Sequence, residues 1–246
     1  MLSKKIFSPG DNLLGNYHEL DGTIEFYGRI NSIIKDTDNV LDIGAGRGSW
    51  YSLDKCLYRR NIRDIKERVN QLVGTDIDDS VMQNPTTHKN IVMSFNKIPL
   101  EDSSMNLIIA DWVLEHVENP DQFTSEIDRI LKPGGVFCAR TPHKYKYVSI
   151  FARIFKNRTH SKILKFVQPN RKVEDIFPTK FKLNTLEDIK KNFSLYKNYS
   201  YLYTSHPSYY ANKKSIFKMM SYLHKILPMF MVSELFVFLK KPNEHK

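Results

Sequence analysis

Residues 40–50 read VLDIGAGRGSW: a short apolar run, an acid, then glycines at every second position, Gly44, Gly46 and Gly48. Glycine lets a backbone take positive φ and lets a ligand pack on main chain with no Cβ between them. An apolar strand running into such a turn and then a helix predicts a nucleotide-type site at the carboxyl end of a buried parallel strand. Three glycine loops compete. A phosphate-binding loop needs GxxxxGK followed by Ser or Thr, and that is absent. A dinucleotide fingerprint needs GxGxxG; Gly44 and Gly46 fit, but the third position holds Ser49. The pattern DxGxGxG matches as Asp42, Gly44, Gly46 and Gly48, and a second acid, Asp76, closes the next apolar run, LVGTDI.

The chain around this loop alternates in period. Residues 23–35 place Ile24, Tyr27, Ile30, Ile33 and Ile34 at helical spacing, with Thr23 as the cap. Strands are predicted at 39–43, 72–77, 90–94, 107–110 and 136–140, and helices at 49–70 and 121–131, with KPGG at 132–135 as a turn. Such alternation predicts an open α/β sheet. The later chain adds helices near 145–156, 185–193 and 213–227, and strands at 195–203 and 235–240. Two inserts, 143–184 and 205–233, would lie on the rim that carries the glycine loop. One domain spanning 1–246 is expected, with a cofactor-binding half near 38–142.

Charge divides the chain. Residues 1–142 hold 16 Lys+Arg against 21 Asp+Glu, and residues 143–246 hold 21 against 6. The basic second part suits a polyanionic partner, whether nucleic acid, anionic lipid or a phosphorylated ligand; a solvated lysine surface is the plainer reading. The two cysteines, Cys56 and Cys138, form no CxxC, so neither a disulfide framework nor a zinc site is expected, and a reducing cytoplasm is the simplest compartment. No apolar run is long enough for a transmembrane helix. The stretch 216–238 is strongly apolar with cations around it; core packing and a basic helix lying on the inner membrane face are the two readings.

VLDIGAGRG, VGTDID, IPLEDSSMNLIIADWVLEHV and ILKPGGVFCARTP stand in the order seen in class I S-adenosylmethionine-dependent methyltransferases. Over residues 38–142 the chain resembles the branch that includes ubiquinone-biosynthesis-type and sugar-modifying members. The resemblance implies a Rossmann-like, doubly wound, mostly parallel seven-stranded sheet with helices on both faces and basic inserts after strands five and six. It implies S-adenosylmethionine as cofactor, with no metal. Gly44 and Gly46 would let the loop pack against its methionine part, with Ala45 and Arg47 supplying backbone; Asp42 would orient the loop or meet the cofactor's ammonium through water, Asp76 would accept from both ribose hydroxyls, and Ile77 would lie against the adenine. Ser94 and Phe95 stand where an acid is usual after the third strand, and Asn106 where an aspartate is usual before the fourth.

Three side chains are candidates for a general base at the ends of strands four and five: Asp111, which also borders the cofactor, His116 and His143. Arg140, Tyr145 and Arg171 are candidates for holding an anionic acceptor. The acceptor expected is a small molecule or saccharide, including a lipid- or nucleotide-linked sugar used in polysaccharide synthesis. RNA methylation, and a non-catalytic binding protein on the same fold, are the alternatives.

Overall fold

The computed structural model describes residues 15–94, 97–154, 178–207 and 213–243. Helix α1 spans Gly22–Asn31. Its cap is Asp21 and not Thr23: the Asp21 carboxylate accepts from the Thr23 and Ile24 N–H groups at 3.0 and 3.1 Å. Strand β1 (Asn39–Ile43) leads into the glycine turn. The single helix expected over 49–70 is instead two pieces, α2 (Trp50–Leu53) and α3 (Leu57–Arg63), followed by a 3-10 turn at Lys66–Arg68. Asp54 breaks it. Its carboxylate accepts the Cys56 N–H at 2.9 Å and pairs with Arg59, which also reaches Asp21 at 2.6 Å. An acid that bonds backbone two residues on competes with helix continuation.

Strands β2 (Gln71–Asp76), β3 (Lys89–Val92) and β4 (Met105–Asp111) follow, then α4 (Pro120–Ile130) and β5 (Leu131–Pro142). The KPGG turn lies within β5, as a register slip between the Met105–Leu131 and Leu107–Val136 pairs. Helix α5 (Tyr147–Ile154), helix α6 (Leu186–Asn192), strands β6 (Lys197–Asn198) and β7 (Tyr201–Tyr203), helix α7 (Lys214–Ile226), the turn α8 (Met229–Val232) and β8 (Glu234–Lys240) complete the chain.

The sheet order is β3-β2-β1-β4-β5-β8-β6, with β7 also on β8. Strands β1 to β5 are parallel, and β8 runs antiparallel to β5. Strands β6 and β7 pair with β8 in one unbroken register, Lys197 opposite Lys240 and Tyr203 opposite Glu234. Between them Tyr199 N–H still donates to the Phe238 carbonyl, while the Ser200 hydroxyl accepts the Phe238 N–H. The two are therefore one strand interrupted where a hydroxyl replaces a main-chain carbonyl, and the sheet has seven strand positions. This is the topology expected.

Alternate residues of each strand build two cores. On one face Leu41, Ile43, Ile108, Phe137 and Val237 pack under α4 and α6. On the other, Val40, Leu107, Ile109 and Phe236 pack under Phe26 and Ile30 of α1. Every parallel strand thus points its carboxyl end to one rim, where the loops are long and the polar groups collect.

Candidate active site

The glycine turn is held from three sides. Gly44 and Ala45 N–H groups both donate to the Thr75 carbonyl of β2, at 2.7 and 3.1 Å. Gly44, Gly46 and Gly48 have φ of 72°, 53° and 66°. A Cβ at Gly48 would drive into the Asn84 carboxamide. A Cβ at Gly46 would meet only Asp76 Oδ2, at 4.0 Å, so this residue faces open space beside the acid. That open backbone is a cradle for a ligand that packs on main chain.

Asp76 Oδ2 accepts the Gly46 N–H at 3.0 Å, and Oδ1 accepts the Asp78 N–H at 3.0 Å. A carboxylate offers about four lone-pair sites. Two backbone bonds fix its plane and leave one acceptor position on each oxygen, which suits a vicinal diol. Ile77 is half-buried beside it. Ser94 ends the third strand's loop exposed, its hydroxyl donating to the Lys97 carbonyl at 3.4 Å. Phe95 lies outside the described residues, as does Arg171.

Asn84 is a site residue that no sequence motif announces. Its Nδ2 donates to the Ala45 and Gly46 carbonyls at 3.1 and 3.0 Å, and its Oδ1 accepts from Thr86 N–H and Oγ1. The side chain locks the glycine turn from behind. The only local signal is an Asn-Pro step after DDSVMQ, which reads as an ordinary turn.

Asp42 points away from the turn, into a small cavity shared with Tyr27, Trp50, Arg63 and Thr86. Burial pushes its carboxyl up to about 7; Asp111 and Asp76 add to this and Arg63 opposes it. Arg63 stacks over Trp50 at 4.6 Å from ring centroid and Tyr27 at 5.4 Å.

Asp111 and Arg140, expected as base and anion binder, form one ion pair. Arg140 Nε and Nη2 donate to the two Asp111 oxygens at 2.8 and 2.9 Å, and Nη1 donates to Thr23 at 2.9 Å. Tyr27 Oη also donates to Asp111, at 3.3 Å. Both side chains are 4% exposed, and the guanidinium lies between the Phe26 and Trp112 rings. A bidentate, buried, stacked pair of this kind is an architectural clamp between β4, β5 and α1. Neither partner is free for substrate. Trp112 takes φ of 61°, and its N–H donates to the Arg140 carbonyl. A bulky residue held left-handed at a strand end marks a segment kept in place by its surroundings.

His143 is likewise committed. Its Nδ1 accepts the Tyr145 N–H at 3.3 Å, its ring bonds the Phe230 main chain, and burial lowers its pKa. Tyr145 itself is 45% exposed on the rim, tilted against that imidazole. His116 is placed differently. It sits in the 3-10 turn after β4, its Nδ1 2.9 Å from the Pro178 carbonyl. A carbonyl can only accept, so the proton resides on Nδ1 and the basic lone pair on Nε2.

The end of the first insert is anchored on the same turn. Lys180 and Phe181 N–H groups donate to the Glu115 carbonyl, Lys180 Nζ pairs with Glu118 at 2.8 Å, and Lys182 Nζ donates to the Glu118 carbonyl. A buried chain runs from Asn184 Nδ2 to Thr141 Oγ1 to Glu115 Oε2, at 2.6 and 2.8 Å. Lys146, in the same insert, pairs with buried Glu234. These cations hold the rim together, so the insert's positive charge is not all offered to an acceptor.

Among the described residues no His, Cys, Asp and Glu cluster could hold a metal, and no helix is long and apolar enough to cross a membrane.

Residues 41–139 match the family model described as a methyltransferase domain. The chain is 31% identical over 117 residues to a Mycolicibacterium smegmatis protein named "Probable S-adenosylmethionine-dependent methyltransferase", covering 44% of this chain and 40% of that protein. It is 27% identical over 124 residues to ribosomal RNA large subunit methyltransferase E of Methanocella arvoryzae, covering 48% of each. The chain therefore spans less than half the length of either curated relative. A chain in the Haloferax volcanii complex of the Trm112 methyltransferase activator superposes with a TM-score of 0.58 at 17% identity, covering 91% of both. At that identity the likeness is one of fold: the α/β Rossmann-like methyltransferase fold.

Proposed function

We propose that this chain is an S-adenosylmethionine-dependent methyltransferase acting on a small molecule or saccharide that carries an anionic group. The observation that carries the cofactor is the pairing of Asp76 with the Gly46 N–H, at the one glycine of the turn that faces open space. The donor set fits: acceptor oxygens for a ribose diol, main chain for the methionine part, and half-buried Ile77 for an aromatic base. When bound, S-adenosylmethionine supplies an electrophilic methyl on a sulfonium. The protein's part is to position the acceptor in line and exclude water. Gly44, Ala45 and Gly46 shape the binding surface, Asn84 keeps it rigid, and the Asp111–Arg140 clamp fixes the wall formed by β4 and β5.

In this reading His116, on the 3-10 turn after β4, is the proton acceptor. With Nδ1 donating to the Pro178 carbonyl, Nε2 is the ring nitrogen that carries the lone pair. His116→Gln is expected to lower kcat by about a hundredfold with a hydroxyl acceptor while leaving cofactor affinity unchanged.

The basic balance of residues 143–246 supports an anionic acceptor, such as a phosphorylated or carrier-linked sugar. The same charge and the likeness to archaeal ribosomal RNA methyltransferases support RNA as the second reading. Incubation with methyl-labelled cofactor and, separately, nucleotide-linked sugars, lipid-linked sugars and total RNA separates the two. Label in a sugar fraction is the expected result; label in RNA alone overturns the acceptor assignment, and label nowhere with intact cofactor binding favours a binding protein.

A further inference from the structure

We infer that the outer face of α7 and α8 is a docking surface for an anionic lipid bilayer. Helix α7 turns Phe217 inward, where it is 1% exposed and packs against the His18 and His206 rings. Its opposite side is apolar but open. Met219, Tyr222 and Ile226, at i, i+3 and i+7, are 56%, 65% and 62% exposed, and Met229 and Phe230 continue the patch beyond Pro228. Spacing of three and four residues sets such side chains in one stripe. Lys214, Lys218 and Lys225 form a second, exposed stripe beside it.

The charge environment names the occupant. No Asp or Glu occurs from residue 189 to residue 233, a stretch that holds seven lysines. A second copy docking through this face by two-fold symmetry would set lysine against lysine, with no carboxylate on either helix to offset them. RNA would match the lysines but would bury Met219 and Ile226 against phosphate and sugar. A bilayer with anionic headgroups satisfies both stripes at once: acyl chains receive the methionines, isoleucine and rings, and the lysines stay at headgroup level. The 13-residue helix is about 20 Å long, suited to lying in the interface and not to crossing it. Phe230 packs 6.3 Å from the His143 ring at the end of β5, so the patch borders the carboxyl rim of the sheet. Docking of this face on lipid is independent of methyl transfer.

Flotation of the full chain with phosphatidylcholine vesicles, with and without roughly a third phosphatidylglycerol, tests it directly. The expected result is flotation with the anionic vesicles only, weakened by salt. Met219→Asp with Ile226→Asp should cut binding more than about tenfold, and Lys214→Glu with Lys218→Glu and Lys225→Glu by about a hundredfold. All five side chains are exposed, and unchanged melting temperatures would confirm that both variants fold. Failure of the parent protein to float overturns the proposal. So does flotation that neither variant weakens, which would put the lipid contact elsewhere. A dimer that becomes monomeric on Met219→Asp with Ile226→Asp, without vesicle binding by the parent, would assign the face to a second copy.

Discussion

The rim over β1 and β2 and the rim over β4, β5 and β8 are built by different means. On the first, the working parts are backbone amides, left-handed glycines and one carboxylate, tied together over short sequence distances. On the second, they are buried side chains paired across the sheet: Asp111 with Arg140, Glu234 with Lys146, Glu115 with Thr141. Local backbone geometry leaves a pattern in sequence, because only glycine takes those φ values freely. Long-range side-chain pairing leaves none.

The largest expected effect falls on the second rim. Arg140→Met removes the bidentate partner of the buried Asp111 carboxylate, leaving it Tyr27 Oη at 3.3 Å and Arg63 at 3.6 Å, and should lower unfolding free energy by about 3 kcal/mol in a denaturant titration. Adding Asp111→Leu should restore most of it. A single-variant loss under about 1 kcal/mol would mean the rim does not depend on the pair.

On the first rim, Asn84→Ala leaves the Ala45 and Gly46 carbonyls without their donor. A loss of about 1–3 kcal/mol is expected, accompanied by weaker cofactor binding. Stability loss with unchanged cofactor affinity would show that the turn keeps its shape without this lock.

The contrast is legible in particular residues. Strands β1 to β5 fall within two residues of their expected starts, save β5, whose pairing begins at Leu131 through the KPGG slip. The helix expected over 49–70 fails because Asp54 and Arg59 form a side-chain network that helical periodicity does not encode. Gly44, Ala45, Gly46 and Asp76 come together as the spacing suggests, while Asp42 faces the cavity it shares with Tyr27 and Arg63. Asp111, Arg140 and His143 do reach the rim, but Asp111 and Arg140 are bonded to each other and His143 to the Tyr145 and Phe230 main chain. Asn84 and Glu115 were invisible, since a turn asparagine and a loop glutamate declare no partner until the chain is folded.

Protonation separates the rims further. Asp42 rises from 3.8 to about 7 in the folded chain, chiefly by burial. The folded state then holds the extra proton, so this group's contribution to stability declines as pH rises from about 4 to about 7. His224 drops from 6.5 to about 4, by burial and by Lys146. There the unfolded state holds the extra proton, and stability rises with pH over about 4 to 6.5. A tenfold change in proton affinity on folding corresponds to roughly 1.4 kcal/mol. Thermal melts should therefore show the advantage of Asp42→Asn over the parent growing with pH. The advantage of His224→Gln should shrink with pH. Parallel slopes would erase the distinction.

The smallest effect concerns the exposed anchor of the insert. Lys180→Gln with Lys182→Gln removes contacts to Glu118 that are largely solvated, and should leave the denaturation midpoint nearly unchanged. A clear fall in the midpoint would make these lysines part of the rim's frame.

Everything proposed for the first rim depends on Asp76 and the glycine turn forming a ribose-and-main-chain site for S-adenosylmethionine. Calorimetric titration of S-adenosylhomocysteine into the parent protein, Asp76→Ala and His224→Gln tests this most directly. The expected results are binding to the parent, a loss of about thirtyfold or more in Asp76→Ala, and no change in His224→Gln. Equal affinity in the parent and Asp76→Ala, or no binding to the parent at all, would contradict it.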